Sequence, residues 1–487
     1  MKNIISLIVL TLIGCKTEYD TDLFNDTQKQ MSQPIWDYVY DDFASFNSNN
    51  PKNFVADIDS LRGLFMDHLS ENKRLISDSL YVQEKIAIKL AFDKLLLEYP
   101  QQHKNYTGED VQLPDEILEE INKNHSIISD SRFFENKDVQ AYVQSVINTQ
   151  AQQLVEKGVF KGQDNQYLSA RLSVIKKTIS DSEQKDYWMF KAFKEHIDNI
   201  GVRNINKLIA EFQHVVRDTL MVNQITSLVD EHLAERENHR IETYKSINGY
   251  ELEAHVFLPE SVSKPMPVIV YFHGGSWSEG KPDWFFESGK SYTEDGWAAI
   301  AIEYRIVARH NTLPFEAVKD AKSAIRWIRS NASRLNINPN QIVVTGNSAG
   351  GHLALSTALA YNWNEDSDNL KISAIPNAVM VNAAVYDLTV PNSKWIVKNL
   401  SDRNLVKQIS PNALVQQTEV KYLLIHGEED GNCRFETAQY FYDKMKAFGN
   451  DVMLHSIPGA GHFIWFGKHA SEVYPTQSKF LQTLGYN

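Results

Sequence analysis

A five-residue stretch constrains the fold of this chain more than any other part of its sequence. Gly346-Asn347-Ser348-Ala349-Gly350 directly follows an apolar, β-branched run that starts at Ile342. A serine flanked in this way, behind a strand and ahead of a helical stretch, is typical of a very sharp strand-to-helix turn. Larger side chains two residues to either side would collide there, so glycine fits both places. The pattern predicts that Ser348 is a nucleophile raised above a sheet edge.

The sequence around this turn predicts strands that alternate with helices. Apolar runs occupy residues 267–272, 297–302, 341–345, 379–386, 422–425 and 452–457, and helical patterns such as 315–330 fall between them. Such alternation favours a mostly parallel sheet covered by helices on both faces. Asn248-Gly249, at the centre of an alternating stretch from 240 to 258, predicts a hairpin. We therefore expect one α/β domain over residues 236–487.

Residues 16–235 have a different pattern, which predicts an all-α helical domain. Ile88, Phe92, Leu95 and Tyr99 recur at helical spacing, and Pro100 is expected to end that helix. The tetrapeptide Ile-Ser-Asp-Ser occurs at residues 76, 128 and 179. It indicates either a helical repeat or three helix caps, and caps are favoured because the flanking residues do not align.

The first 15 residues predict a segment that is not part of the fold. A short basic start and a brief apolar run lead to Leu12-Ile13-Gly14-Cys15, which resembles the lipobox of bacterial lipoproteins. The resemblance implies a signal peptide over 1–15 and lipidation of Cys15. The protein would then be anchored in the cell envelope (outer membrane, periplasmic or surface-exposed) without spanning the bilayer. An ordinary signal peptide with a chance cysteine is the alternative.

Charge and cysteine content narrow the possible partners. The formal net charge is −13, which disfavours nucleic acid as a partner. Cys433 is the only cysteine besides Cys15, so no intramolecular disulfide remains once Cys15 is lipidated. Cys433 is expected to be a small packing residue.

Two later strand ends offer the acid and base that a serine nucleophile needs. The loop that contains Asp430 follows the run at 422–425, and the loop that contains His462 follows the run at 452–457. Parallel strands present their carboxyl ends at a common edge, where α/β sheets bind ligands. We predict Asp430 as the acid and His462 as the base. Glu429 and Asp387 remain alternative acids.

An oxyanion site is predicted from the loop after the run at 267–272, which reads His273-Gly274-Gly275-Ser276-Trp277. The backbone N–H groups of Gly274, Gly275 and Ala349 would be the donors, Ala349 because it follows the nucleophile. His273 is expected to orient this loop. His352 and His426 are expected to be structural, since neither is placed where a base could reach Ser348.

Several motifs between residues 240 and 487 carry a family resemblance. They are His273-Gly274-Gly275, Glu303-Tyr304-Arg305, Pro314-Phe315-Glu316, the stretch from Gly346 to Gly351, and Gly461-His462-Phe463. This part of the chain resembles the α/β-hydrolase superfamily, with the hormone-sensitive-lipase-like and the Bacteroidetes-type feruloyl and acetyl-xylan esterases as the nearest groups. The resemblance implies the same triad of Ser348, Asp430 and His462, the same oxyanion donors, and no metal or organic cofactor. Asn347 and Glu303 depart from the usual pattern.

The function predicted from these motifs is hydrolysis of a carboxylic ester, with acetyl or feruloyl esters of carbohydrates as the first expectation for substrates and small esters as the second. Six aromatic residues near the predicted loops could stack on such substrates or simply pack in the core: Trp277, Trp284, Phe285, Phe286, Trp465 and Phe466. Two alternatives are a serine peptidase of the prolyl-oligopeptidase type and a binding lipoprotein without catalysis. The sequence leaves the oligomeric state open.

Overall fold

The computed structural model describes residues 19–41, 43–389 and 403–486. The predicted signal segment and Cys15 lie outside these residues, so lipidation stays a prediction. Within the described ranges no helix combines the length and the apolar character that crossing a bilayer requires.

The N-terminal half is helical. Its helices are α1 (Thr21–Asp41), α2 (Phe43–Ser48), α3 (Pro51–Glu71), α4 (Asp78–Thr107), α5 (Asp115–Lys123), α6 (His125–Ile128), α7 (Lys137–Glu156), α8 (Gln166–Thr178), α9 (Ser182–Asn199), α10 (Asn206–Val215) and α11 (Thr219–Glu237). Two apolar clusters hold them together, one centred on α3 and α4 and the other on α7, α8 and α9. This confirms the predicted helical region.

The recurring Ile-Ser-Asp-Ser tetrapeptide has a capping role. Ser77 caps α4 by accepting a hydrogen bond from the Leu80 amide, and Asp181 caps α9 by accepting from Gln184. Asp130 caps a short 3-10 helix in the same way, through the Arg132 amide. The interpretation as helix caps is therefore confirmed.

One helix boundary differs from the prediction. Pro100 does not end α4, which continues to Thr107 and closes at Gly108 in the left-handed conformation. Proline removes one helical hydrogen bond, and tertiary packing can override that loss. Tyr99, next to the proline, is fully buried against Phe54 of α3. Packing of this kind lets the helix continue beyond Pro100.

The C-terminal half is built on one eight-stranded sheet. Its strands are β1 (Arg240–Ile247), β2 (Tyr250–Phe257), β3 (Met266–Phe272), β4 (Ala298–Ile302), β5 (Ile337–Asn347), β6 (Ala378–Asn382), β7 (Lys421–Gly427) and β8 (Val452–Ile457). Their order in the sheet is β1-β2-β4-β3-β5-β6-β7-β8. β1 and β2 form the predicted antiparallel hairpin around Asn248-Gly249, and the strands from β4 to β8 in the sheet run parallel.

Helices cover both faces of this sheet, as predicted for an α/β fold. They are α12 (Phe286–Glu294), α13 (Val307–His310), α14 (Pro314–Ser330), α15 (Ala349–Leu359), α16 (Arg403–Val406), α17 (Pro411–Leu414), α18 (Phe435–Ala447) and α19 (Gly467–Leu484). The larger apolar cluster includes the buried faces of α14, α15 and α18, and the smaller one those of α12 and α19. The sheet is therefore buried on both sides.

Charged side chains join the helical half to the sheet half. Arg203 pairs with Glu303 and, at 3.1 Å, with Glu253, which also pairs with Arg236 at 2.6 Å. Arg309 pairs with Glu303 and with Asp164, the latter at 2.5 Å. Glu303 was one of the two departures from the family pattern. The Glu303 side chain is buried between Arg203 of the helical half and Arg309 of the sheet half. These two positive charges explain why a carboxylate occupies this position.

Candidate active site

Ser348 lies between β5 and α15 in a strained turn. Its backbone has φ 55° and ψ −121°, a conformation that non-glycine residues rarely adopt and that costs on the order of 1–3 kcal/mol. A Cβ atom on Gly350 would fall inside contact distance of the Phe272 carbonyl oxygen, and one on Gly346 would collide with Gly350. The close approach of β3, β5 and α15 thus requires both glycines, as predicted from the sequence.

Asp430 and His462 meet at the ends of β7 and β8. Nδ1 of His462 lies 2.8 Å from Oδ2 of Asp430. The other oxygen of Asp430 accepts hydrogen bonds from the amides of Asn432 and Cys433, at 2.8 and 2.7 Å. Burial alone would raise the pKa of Asp430, but hydrogen bonds from His426 and His462 outweigh it and hold that pKa well below its ordinary value. The carboxylate therefore stays ionised beside the His462 ring.

The two alternative acids have other surroundings. The Glu429 side chain is exposed, and its amide donates to the Ala460 carbonyl. Asp387 accepts hydrogen bonds from the amide and hydroxyl of Thr389, at 2.7 and 2.6 Å. Of the three candidates, Asp430 is the carboxylate that is hydrogen-bonded to His462.

Cys433 is a component of the site that the sequence interpretation missed. The Ser348 side chain lies beside its thiol and acts to lower the pKa of that thiol. Ligand atoms of Asp430, Cys433 and His462 lie within 4.8 Å of one another, so the thiol lies beside both Ser348 and the Asp430–His462 pair. Cys433 follows Asp430 by three residues in the same loop. This spacing is the sequence feature that could have predicted its place in the site.

The environment of Cys433 argues against thiolate chemistry. Burial is the main cause that raises the pKa of its thiol, and the Asp430 charge adds to it, so the thiol is protonated at neutral pH.

Asp430, Cys433 and His462 form the one group of three potential metal ligands within the ranges the structure describes. Two of its members are already hydrogen-bonded to each other, which is the pairing a catalytic triad uses.

The predicted oxyanion loop lies against Ser348. A Cβ atom on Gly274 would be 3.6 Å from the Ser348 Cβ, and Ala349 begins α15 directly behind the serine. Gly275, at φ 100°, starts a turn in which the amides of Ser278 and Glu279 donate to its carbonyl at 2.9 and 3.0 Å. This turn fixes the position of the backbone from which Gly274 and Gly275 would donate.

His273 orients the oxyanion loop, as expected. Its Nδ1–H donates to the Gly274 carbonyl at 2.8 Å, and its ring stacks on Tyr304 at a centroid distance of 4.1 Å. The Tyr304 hydroxyl donates to the His273 carbonyl at 2.7 Å. Burial lowers the pKa of His273 to about 4, so its ring is neutral at physiological pH.

The other two histidines differ from each other. His352 is fully buried, and its Nε2 lies 2.7 Å from the Ile409 carbonyl, which fits a structural role. Nε2 of His426 lies 2.6 Å from the Cys433 carbonyl and 3.2 Å from Oδ2 of Asp430. His426 thus contacts the predicted triad acid directly, which the sequence interpretation did not foresee.

The six predicted aromatic residues divide between the core and the surface. Trp277 and Phe286 are buried, and Phe285 stacks on Tyr271. Trp284 and Phe466 are exposed, at 46% and 64%. Trp465 is partly buried with its ring centroid 5.6 Å from that of His462, and Phe463, exposed at 63%, contacts the same imidazole. Phe463, Trp465 and Phe466 therefore form an aromatic surface beside His462.

Neutral buried histidines predict a loss of stability in acid. Burial lowers the pKa of His273 and His352 to about 4 and of His196 and His310 to about 3. Below pH ~6.5 the unfolded chain takes up protons that the folded chain excludes. Each such histidine then lowers the free energy of unfolding by about 1.4 kcal/mol per pH unit, down to its folded pKa.

Urea denaturation at pH 7, 6 and 5 measures this effect. We expect the free energy of unfolding to fall continuously across that range. His352→Gln should reduce the slope, whereas His214→Gln, at an exposed position, should leave it unchanged. Equal stability at pH 7 and pH 5 would contradict the assignment of neutral buried histidines.

The sheet order and the strained serine turn give residues 240–486 the α/β-hydrolase fold, with Asp430 and His462 hydrogen-bonded after the last two strands. Residues 254–445 match the family model described as BD-FAE. That match contains β3 to β7, Ser348 and Asp430.

Part of the chain is similar to proteins named as esterases. It is 28% identical to Esterase LipC of Mycobacterium tuberculosis over 218 residues, 41% of this chain and 53% of that protein. It is 33% identical to Carboxylesterase NlhH of the same organism over 106 residues, 21% of this chain and 32% of that protein. The chain thus spans about half, or less, of the length of these relatives. Among solved structures, the apo form of esterase 2 from Thermogutta terrifontis is 28% identical to this chain, with a TM-score of 0.48. The match covers 52% of this chain and 96% of the esterase chain.

Proposed function

We propose that this protein is a serine carboxylic-ester hydrolase that uses Ser348, His462 and Asp430. One observation carries the proposal: an ionised, buried Asp430 is hydrogen-bonded to His462 at a loop that also reaches the strained Ser348 turn. A carboxylate held in this way orients the imidazole and stabilises its charged form. The similarity to proteins named as esterases supports the same reaction class.

In the proposed mechanism the Ser348 oxygen attacks the acyl carbonyl while His462 takes up its proton. Asp430 stabilises the imidazolium that forms, and the amides of Gly274, Gly275 and Ala349 hold the oxyanion. His462 then protonates the departing alcohol. Water, deprotonated by His462, attacks the acyl-enzyme and releases the acid, which restores Ser348.

Acetyl or feruloyl esters of carbohydrates are the substrates we propose first, with small esters second. The support is the aromatic surface formed by Phe463, Trp465 and Phe466 beside the base. Aromatic faces pack well on planar acyl groups and on the C–H faces of sugar rings. A membrane location through a lipid on Cys15, at the cell envelope, remains part of this proposal and rests on the sequence pattern.

A panel of acyl esters tests the reaction and the substrate class. We expect turnover of p-nitrophenyl acetate and of acetylated or feruloylated oligosaccharides, together with covalent labelling by a fluorophosphonate that maps to Ser348. A proline-containing amide substrate should be cleaved far more slowly. Efficient cleavage of that amide would favour a peptidase, and the absence of any labelling at Ser348 would favour a non-catalytic binding protein.

A further inference from the structure

A cavity of about 950 Å³ lies between the helical half and the hydrolase half. Helices α4, α7, α8 and α9 form most of its wall, and the hydrolase half contributes Ser278, Glu279 and residues 307–313 in part. Ser348, Asp430 and His462 are not among the lining residues. Ligand pockets in proteins have volumes of about 300–1,000 Å³, so this cavity can hold a ligand of several rings.

Side-chain amides dominate the polar part of the wall. Glutamine and asparagine line it at eight positions, among them Gln112, Asn148, Gln152 and Asn199. An amide both donates and accepts hydrogen bonds, as does a sugar hydroxyl. A wall of this kind matches a neutral ligand that carries many hydroxyl groups.

Buried polar atoms in the wall lack partners. The Ser145 hydroxyl, Nε of Arg171, Nε2 of His196 and the Thr312 hydroxyl have no hydrogen-bond partner among the residues that the structure describes. A buried polar group without a hydrogen-bond partner destabilises the folded protein. A polar ligand, with small side-chain rotations, could satisfy several of them at once.

The charges of the wall exclude anionic ligands. The two cations that line it among the described residues are already paired: Lys104 with Asp110 at 2.8 Å, and Arg171 with Glu195 at 2.7 Å. Burial lowers the pKa of His196 to about 3, so it adds no positive charge at neutral pH. Further carboxylates, Glu98 and Glu156 among them, line the same space and would repel a negative group.

The cavity also borders the oxyanion turn. Ser278 and Glu279, which line it, donate their amides to the Gly275 carbonyl. Gly280 and Lys281 follow this turn, and they bond to the carbonyls of Asn199 and Ile197 in α9, at 2.7 and 2.8 Å. A ligand in the cavity would therefore contact the turn that holds Gly274 and Gly275 in place.

From these observations we propose that the cavity binds a neutral oligosaccharide. The ligand is either a free saccharide or the glycan part of an ester substrate; only the second source rests on the proposed function. Apolar side chains such as Leu97, Val111 and Tyr167 would pack against the C–H faces of the sugar rings.

Isothermal titration of the full chain with unesterified xylo- and cello-oligosaccharides tests binding directly. We expect saturable binding that weakens at least about tenfold in the double variant Asn148→Leu/Gln152→Leu, because two hydrogen-bonding side chains are lost. Gln150→Leu, on the same helix but outside the cavity, is the matched control and should bind like the unmodified protein. Melting temperatures of all variants establish that they are folded.

Absence of saturable binding by every neutral oligosaccharide would overturn the proposal, as would equal binding by the double variant. Binding of spermidine without any oligosaccharide binding would show a cation site and also overturn it.

The ratio of KM for an acetylated oligosaccharide to KM for p-nitrophenyl acetate separates the two sources of the ligand, a free saccharide and the glycan part of the substrate. A rise of this ratio in the double variant indicates the substrate's own glycan, and an unchanged ratio with lost binding indicates a free saccharide. If the protein binds the oligosaccharide but hydrolyses no ester, the result contradicts the proposed function and still supports the proposed binding site.

Discussion

Replacement of Ser348 by alanine is expected to lower kcat for p-nitrophenyl acetate by about 10⁴-fold or more, because no other oxygen nucleophile occupies its place in the turn. The substitution removes one hydroxyl and leaves the backbone turn, which Gly346 and Gly350 make possible, intact. Steady-state kinetics on purified protein measures the loss. Fluorophosphonate labelling should disappear in parallel.

A serine in α15, the helix that follows Ser348, controls for this change. Ser356 is fully buried in α15, where its hydroxyl lies 3.5 Å from Nε2 of His352. Ser356→Ala should keep activity within a few-fold and melt close to the unmodified protein. Residual activity of Ser348→Ala above about one per cent of normal would contradict the nucleophile assignment.

Replacement of Asp430 by asparagine is expected to cost about 10⁴-fold in kcat, the second largest effect. The amide keeps the shape of the carboxylate but cannot stabilise the imidazolium of His462, and it can reverse the hydrogen bond that fixes the tautomer. The existing contact is the 2.8 Å bond between Nδ1 of His462 and Oδ2 of Asp430. Kinetics with the same ester, alongside the melting temperature, measures the effect.

The neighbouring carboxylate is the control for Asp430. Glu429 is exposed, so Glu429→Gln removes a charge from the same loop without touching the pair. It should retain most of the activity. If Glu429→Gln or Asp387→Asn lost as much activity as Asp430→Asn, the choice of acid would be wrong.

The site contains a thiol and a second imidazole in addition to the three predicted residues. The Cys433 thiol lies beside the Ser348 side chain and belongs to the group of atoms that includes Asp430 and His462. His426 adds a second imidazole next to Asp430. The loop from β7 to α18 therefore contains both the proposed triad acid and a buried thiol, and the second imidazole lies at the end of β7.

The sequence by itself determined the features that depend on neighbouring residues. The turn around Ser348, the hairpin at Asn248-Gly249 and the caps at Ser77 and Asp181 follow from residues within a few positions of each other. Their conformations are set by local sterics and local hydrogen bonds, which a short sequence pattern records. The candidate nucleophile, base and oxyanion loop were identified for the same reason.

Only the tertiary structure decided which distant groups meet. Three acids fitted the pattern, and the choice of Asp430 depends on a contact with His462, 32 positions away. The same holds for the thiol at Ser348, for Pro100 inside a long helix, and for Glu303 between Arg203 and Arg309. The cavity between the two halves likewise exists because helices from residues 78–199 pack against the 278–313 region. Such contacts depend on packing and burial between segments far apart in the chain, and no local pattern encodes them.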